Sequence, residues 1–403
     1  MTCSIKLNYM NDSIIEYASE IAFYIDMELD KRLWLNYSLL GGDFGAICFL
    51  YYYSEVNHSY LGVADGYLDK MLKGIPKMPV IYTYCNGLAG LGLGLQLLEE
   101  DGFLSGVSSS LMEYDEYLCS ILPKILNLKS LDFLHGVIGV GLYFLSRYEY
   151  NPSVSKKCID QIIRFLNNSF TRNGKQIYWE LVEDEFYKRF NISLSHGSSS
   201  ILIFLSRVYR MDLDIENKEC VEYLINGIVN HTVMQKLNVE EYGSFFPSFP
   251  VESKLQKMKS RLAWCYGDLG IAVALMEAAD ATENQELKDF GMEILEYAAK
   301  NRRNVESNSI HDAGICHGAI GVSQIFKCQY KKVQKTIFED ASLYWKNIAL
   351  SFSQEERGKH IFKSYNNQTK SWENSINILE GNAGIGLCLL GADSFIDKIL
   401  LLA

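Results

Sequence analysis

The chain has 403 residues, 48% hydrophobic and 22% charged, proportions that fit a globular protein with a large core. Its net charge of −11, with no basic stripe to offset it, argues against nucleic acid, whose binding requires clustered Lys and Arg to release counterions. No run of about 18 apolar residues occurs, so no membrane span is expected, and Met1–Lys6 lacks the apolar core of a signal peptide.

Only six prolines interrupt the chain, which favours long helices over a loop-rich β fold. From the N-terminus onward, one unit recurs: a small-residue turn followed by an apolar helix. It appears as Gly42-Asp43-Phe44-Gly45 before Ala46–Tyr53, and as Gly87-Leu88-Ala89-Gly90 before Leu91–Leu98. It follows as Gly136-Val137-Ile138-Gly139 before Val140–Leu145, and in altered form as Gly197-Ser198-Ser199-Ser200 before Ile201–Val208. The last three turns are Gly267–Gly270, Gly318–Gly321 and Gly381-Asn382-Ala383-Gly384, making seven.

Between the turns, Ile14–Met27, Tyr67–Ile75, Leu118–Leu126, Cys158–Phe170, Val221–Val229, Leu287–Ala299 and Val333–Leu350 place apolar residues at i, i+3, i+4 and i+7. Each unit therefore reads as one outer amphipathic helix and one inner helix that is apolar all round. Inner helices this apolar cannot line an exposed groove. The expected fold is all-α, an α/α toroid of seven inner and seven outer helices, with residues 1–403 as a single domain. Two long connections, about 172–190 and 232–256, contain the β-like run Gly174–Leu181 and the aromatic run Tyr242–Pro250. They are expected as short strands or loops laid over the turn end, forming either a substrate-facing wall or a plain surface insertion.

Counting back from the turn glycines gathers the chemistry. Cys265 and Cys316 are each two before a glycine, while His196 and His317 are each one before. Asp132 precedes Gly136 by four residues and Arg261 precedes Gly267 by six. All belong to units three to six, one arc of a closed ring. A lone cysteine before an apolar helix is ordinarily a core residue, and Cys85, two before Gly87, shows that the position alone is not diagnostic. Only Cys265 and the Cys316-His317 pair lie on adjacent units. Two thiolates and an imidazole favour zinc over magnesium or calcium and leave one coordination position open. His196, next to the unit of Cys265, is a better general acid/base candidate than His135, which sits one unit further away. Trp264 is expected to pack. The remaining cysteines, scattered through helical patterns in a chain without an export signal, are expected to be reduced thiols in a cytoplasmic protein.

The motifs Arg261-x-Ala263-Trp264-Cys265-Tyr266-Gly267, Cys316-His317-Gly318, Ser195-His196-Gly197 and Asp132-x-x-x-Gly136 resemble those of the lanthionine synthetase C-like family, the cyclases of lanthipeptide biosynthesis. The resemblance implies one zinc per chain on Cys265, Cys316 and His317, with Asp132, His196, Arg261 and Tyr266 at further active-site positions. The implied substrate is a dehydrated lanthipeptide precursor, and the implied partners are a separate dehydratase and an exporter, with membrane association arising through them. Two departures stand out: the Gly-Ser-Ser-Ser turn, and a histidine at position 135.

Within the same fold, a glutathione-binding relative is the alternative enzyme reading, followed by a zinc prenyltransferase β-subunit. A helical-repeat scaffold with structural zinc would need a fourth protein ligand, and none is evident. Glycoside hydrolysis would need two carboxylates facing the axis, for which Asp132 and Glu380 are possible, but the thiol-rich site argues against it.

Overall fold

In the computed structural model, which describes residues 12–180, 191–211, 215–248, 259–356 and 358–403, each of the seven turn glycines is the residue before a helix. Along the chain run α1 (Asp12–Asp30), α2 (Asp43–Tyr53), α3 (Ser59–Gly74), α4 (Leu88–Glu100), α5 (Val107–Asn127), α6 (Val137–Arg147) and α7 (Pro152–Ser169). An antiparallel hairpin, β1 (Thr171–Asn173) with β2 (Gln176–Tyr178), leads to α8 (Ser198–Tyr209), α9 (Ile215–Met234) and the single turn α10 (Val239–Tyr242). Then come α11 (Asp268–Thr282), α12 (Gln285–Asn301), α13 (Ala319–Val333) and α14 (Thr336–Ser351). Two further hairpins, β3 (Gln354–Glu356) with β4 (Lys359–Ile361) and β5 (Lys363–Asn366) with β6 (Ser371–Asn374), precede α15 (Asn382–Leu390) and α16 (Asp393–Ile399).

The inner helices are α2, α4, α6, α8, α11, α13 and α15. Every residue of α2 and of α15 is buried, as their uninterrupted apolar sequences require. The outer helices are amphipathic. In α7 the buried positions are Ser155, Cys158, Ile159, Ile162, Ile163 and Leu166, one stripe at helical spacing. Two glycines show why the turns are built from small residues. Gly267 has φ +92°, a region that L side chains rarely adopt. At Gly321 an added Cβ would come within 1.9 Å of the Ile315 carbonyl oxygen, so only glycine lets the helix start fold back on its own turn.

The chain forms two compact units, Met1–Tyr114 together with His311–Ala403, and Asp115–Ile310. In the first, α2 packs against α1, α3, α4 and α15. Its turns are joined by the main chain. The N–H groups of Ile315 and Cys316 donate to Leu379 O (2.9 and 2.8 Å), those of Ile378 and Leu379 to Leu40 O (both 3.1 Å), and that of Leu40 to Cys85 O (3.1 Å). In the second unit α8 packs against α6, α9 and α11, and the N–H groups of Leu194 and Ser195 donate to Cys265 O (3.1 and 3.3 Å). The carbonyl two residues before a cap glycine is thus the acceptor in each of these joints.

The second unit also holds a buried ion pair. Arg302 Nη1 lies 2.9 Å from Asp268 Oδ2, with both side chains out of solvent. The Asp268 carboxylate also accepts the N–H groups of Phe245 (3.1 Å) and Phe246 (2.9 Å), while Arg302 donates to Asn308 Oδ1 and to the carbonyl of Ser260. Burial pushes the Asp268 carboxyl up, and the Arg302 charge with the two backbone donors works against that rise. Asp268→Ala would strand the guanidinium in the core and is expected to cost about 3–5 kcal/mol, read as a lower denaturant midpoint. An unchanged midpoint would show that the pair is dispensable.

Two expectations for the insertions need correction or completion. The run at 174–181 does form strand β2, although Leu181 and the remainder to residue 190 lie outside the described residues. The aromatic run at 242–250 is not a substrate-facing wall where it is described: Phe245 and Phe246 are fully buried and strapped to Asp268. Residues 249–256 of that insertion lie outside the described residues. Hairpins β3–β4 and β5–β6 were not anticipated, because strands of three or four residues carry too little alternation to read. Among the described residues no helix is long and apolar enough to cross a membrane.

Candidate active site and metal centre

The turn before α11 is held from two directions. Asp268 fixes its end, and the Cys265 carbonyl is fixed by the turn that carries His196. Ser195 adds its hydroxyl to the same carbonyl at 3.3 Å. This leaves the Cys265 side chain buried and Tyr266 half-buried. The turn before α13 is clamped by Asp312, whose carboxylate accepts Gly314 N–H (2.9 Å) and, from β5, Tyr365 N–H (2.9 Å). Cys316 and His317, both half-buried, project from it.

The Cys265 and Cys316 thiols and one ring nitrogen of His317 all lie within 4.8 Å of one another. No other group of three His, Cys, Asp or Glu side chains among the described residues has metal-binding spacing. Two soft thiolates and an imidazole suit zinc, for which bonds of about 2.3 Å to sulfur and 2.0–2.1 Å to nitrogen place ligands at such separations.

In the second unit His196 is paired with Asp132 at 2.5 Å, Nδ1 to Oδ2. The other carboxylate oxygen accepts the His135 backbone N–H at 2.7 Å, so both oxygens of Asp132 are engaged and its orientation is fixed. The His196 backbone N–H donates to Ser193 Oγ (3.2 Å). Burial alone would lower the His196 pKa. The Asp132 hydrogen bond and charge, followed by the nearby Cys265, outweigh it and raise the value above 6.5. The Tyr266 ring centroid is 6.0 Å from that of His196, and its hydroxyl accepts from Asn191 Nδ2 at 3.2 Å, leaving the phenolic O–H to donate elsewhere. Burial raises the Tyr266 pKa, against the lowering effect of Asn191, so the phenol stays protonated at neutral pH. Trp264 is fully buried, edge-on to Phe133 at 6.3 Å, a packing residue as expected. Arg261 is half-buried, and among the described residues its guanidinium makes no hydrogen bond or ion pair, so it is not joined to the His196 group.

Beside His196 is a small cavity walled by Leu131, Tyr178, Trp179 and Ile201, with Asn191 and Ser198 on its polar side. Tyr178 and Trp179 bring the end of β2 to this cavity, and Trp179 is anchored by its indole N–H on Leu166 O (3.3 Å). The unusual serine turn is largely self-satisfied. Ser199 donates to Ile192 O (2.6 Å) and Ser200 to Gly197 O (2.9 Å), while the Ser198 hydroxyl is buried with no partner. Sequence reasoning missed Asn191 and Ser193. A signal for Asn191 existed, since it stands six before Gly197, the place Arg261 holds before Gly267.

The family model for lanthionine synthetase C-like proteins matches residues 33–394. The chain is 25% identical over 319 residues to the nisin biosynthesis protein NisC of Lactococcus lactis subsp. lactis, covering 73% of each. It is 24% identical over 257 residues to the lacticin 481/lactococcin biosynthesis protein LcnDR2 of the same organism, covering 59% of this chain and 27% of that one. The solved structure of nisin cyclase superposes with a TM-score of 0.75 at 20% identity, over 97% of this chain and 98% of that one. This likeness establishes the fold class expected from the repeats, the α/α toroid.

Proposed function

We propose a function on the premise that this chain belongs to the lanthionine synthetase C-like family, which the match over residues 33–394 establishes. The protein is a zinc-dependent lanthipeptide cyclase of the class I type, acting as one functional domain. It adds cysteine thiols of a dehydrated precursor peptide to dehydroalanine or dehydrobutyrine residues of the same peptide, closing lanthionine and methyllanthionine rings. The observation that carries this reading is the group Cys265, Cys316 and His317, with the Asp132–His196 pair on the turn hydrogen-bonded to Cys265. By their names, NisC takes part in nisin biosynthesis and LcnDR2 in lacticin 481/lactococcin biosynthesis, which supports this reading.

Zinc held by Cys265, Cys316 and His317 would supply Lewis acidity at an open position, so that a peptide thiol of pKa near ~8.5 is presented as thiolate at neutral pH. The protein's own groups do the rest. As the sulfur bonds to the β-carbon, the double-bond electrons move to the α-carbon and the adjacent carbonyl oxygen. The Tyr266 hydroxyl, with Arg261, stabilises that oxygen by hydrogen bonding. His196, with Nδ1 engaged by Asp132, presents its Nε2–H as the acid that protonates the α-carbon. Asp132 keeps the ring oriented and its charged form favoured. A separate dehydratase supplies the substrate and an exporter removes the product, and both partners account for any membrane association.

Ring closure is an isomerisation, so it consumes a thiol without changing mass. Incubating dehydrated precursor with the zinc-loaded protein should protect one thiol per ring from alkylation while the peptide mass stays constant. Thiols that remain fully alkylatable would overturn the proposal.

A further inference from the structure

The residue immediately before each cap glycine occupies an equivalent place in every repeat. In the second unit, three consecutive turns put His135, His196 and Tyr266 there. Their rings form a row. The centroids of His135 and His196 are 6.1 Å apart with planes at 21°, and those of His196 and Tyr266 are 6.0 Å apart. Asp132 links the first two members, accepting the His135 backbone N–H on one oxygen and the His196 ring on the other. Accessibility differs along the row: Tyr266 and His196 are half-buried, while His135 is exposed. No step of the proposed reaction uses His135, and it is one of the two places where the sequence departs from the family pattern.

We propose that His135 is a substrate-contacting residue, one that binds the precursor peptide beside the dehydro residue held at His196. An imidazole offers a flat face and two polar edges, groups suited to a peptide amide or a small polar side chain. An extended peptide advances about 3.3–3.6 Å per residue, so the 6.1 Å between the two rings corresponds to about two residues of substrate. His135 therefore reads the residue two positions from the dehydro residue. The inference rests on the cyclase reading above, and its test separates the two.

The affinity of the dehydrated precursor for the zinc-loaded protein is measured by fluorescence anisotropy, alongside KM and kcat for ring closure. Loss of one hydrogen-bonding contact should weaken binding and raise KM about 3- to 10-fold in His135→Ala. His135→Gln, which keeps polar edges, should recover part of that affinity, and kcat should stay within about twofold of the unaltered protein. Changing the peptide two residues from the dehydro residue should weaken binding to the unaltered protein and leave binding to His135→Ala unchanged. Thermal melting and zinc content identify any variant that fails to fold. Unchanged affinity would overturn the inference, as would a fall in kcat at constant KM, which would make His135 a proton-transfer group. A protein that binds the peptide without closing rings would sink the cyclase reading while the affinity series still decides the role of His135.

Discussion

Cys316→Ala is expected to purify almost free of zinc and to close no rings, whereas the unaltered protein is expected to carry about one zinc per chain. The chain offers three donors to the metal, two thiols and one imidazole, and removing a thiol leaves too few to compete with solvent and buffer. Two cysteinate ligands would also offset the charge of a bound zinc, which would favour a nucleophilic substrate sulfur. The informative control is Cys85→Ala. Cys85 stands at the same place in its own turn, two before Gly87, yet is not part of the ligand group, so its loss should leave the zinc content unchanged. Elemental analysis of the three proteins decides the matter. Full zinc occupancy in Cys316→Ala would refute the ligand assignment.

His196→Ala should retain its zinc and lose about 10²- to 10⁴-fold in ring-closure rate, the range for a positioned acid or base. Asp132→Asn should also slow ring closure, because the amide has one acceptor for the two N–H groups the carboxylate holds and the charge that raises the His196 pKa is gone. The pH dependence has a definite sign. The acid must be protonated, so the rate falls as pH rises through the His196 pKa, which lies above 6.5 in the folded protein. In Asp132→Asn that fall should begin at lower pH. Wild-type rate and product from His196→Ala would dismiss the proton-transfer role, and an unmoved pH profile in Asp132→Asn would dismiss the carboxylate's part in it.

The parts of this molecule that repeat were legible, and the parts that do not repeat were mostly hidden. Gly42, Gly87, Gly136, Gly197, Gly267, Gly318 and Gly381 each precede an inner helix because the same close approach recurs at each turn. That equivalence is also what let Cys265, Cys316 and His317 be grouped across some fifty residues of sequence. Asn191 was missed because its contact with Tyr266 depends on how two turns face each other. The Asp268–Arg302 pair joins residues 34 apart with no periodic signature, so the Phe245-Phe246 segment it secures looked like surface. Only the second half of α5 was anticipated, since its first turns, Val107-Ser108-Ser109-Ser110, carry too few apolar residues to show a helical stripe.

The main-chain joints between turns separate two inheritances that most active sites entangle. The carbonyls of Leu40, Cys85, Cys265 and Leu379, each two before a cap glycine, all serve the same joint. Their side chains differ freely, because a peptide carbonyl accepts a hydrogen bond whatever is attached to its α-carbon. Two of these sockets hold leucine and two hold cysteine, of which Cys265 is the proposed metal ligand. A new ligand can therefore arise at such a turn by a single substitution without disturbing the frame, and an old one can be discarded as cheaply. Architecture of this kind lets the side chains at the turns change around a fixed scaffold.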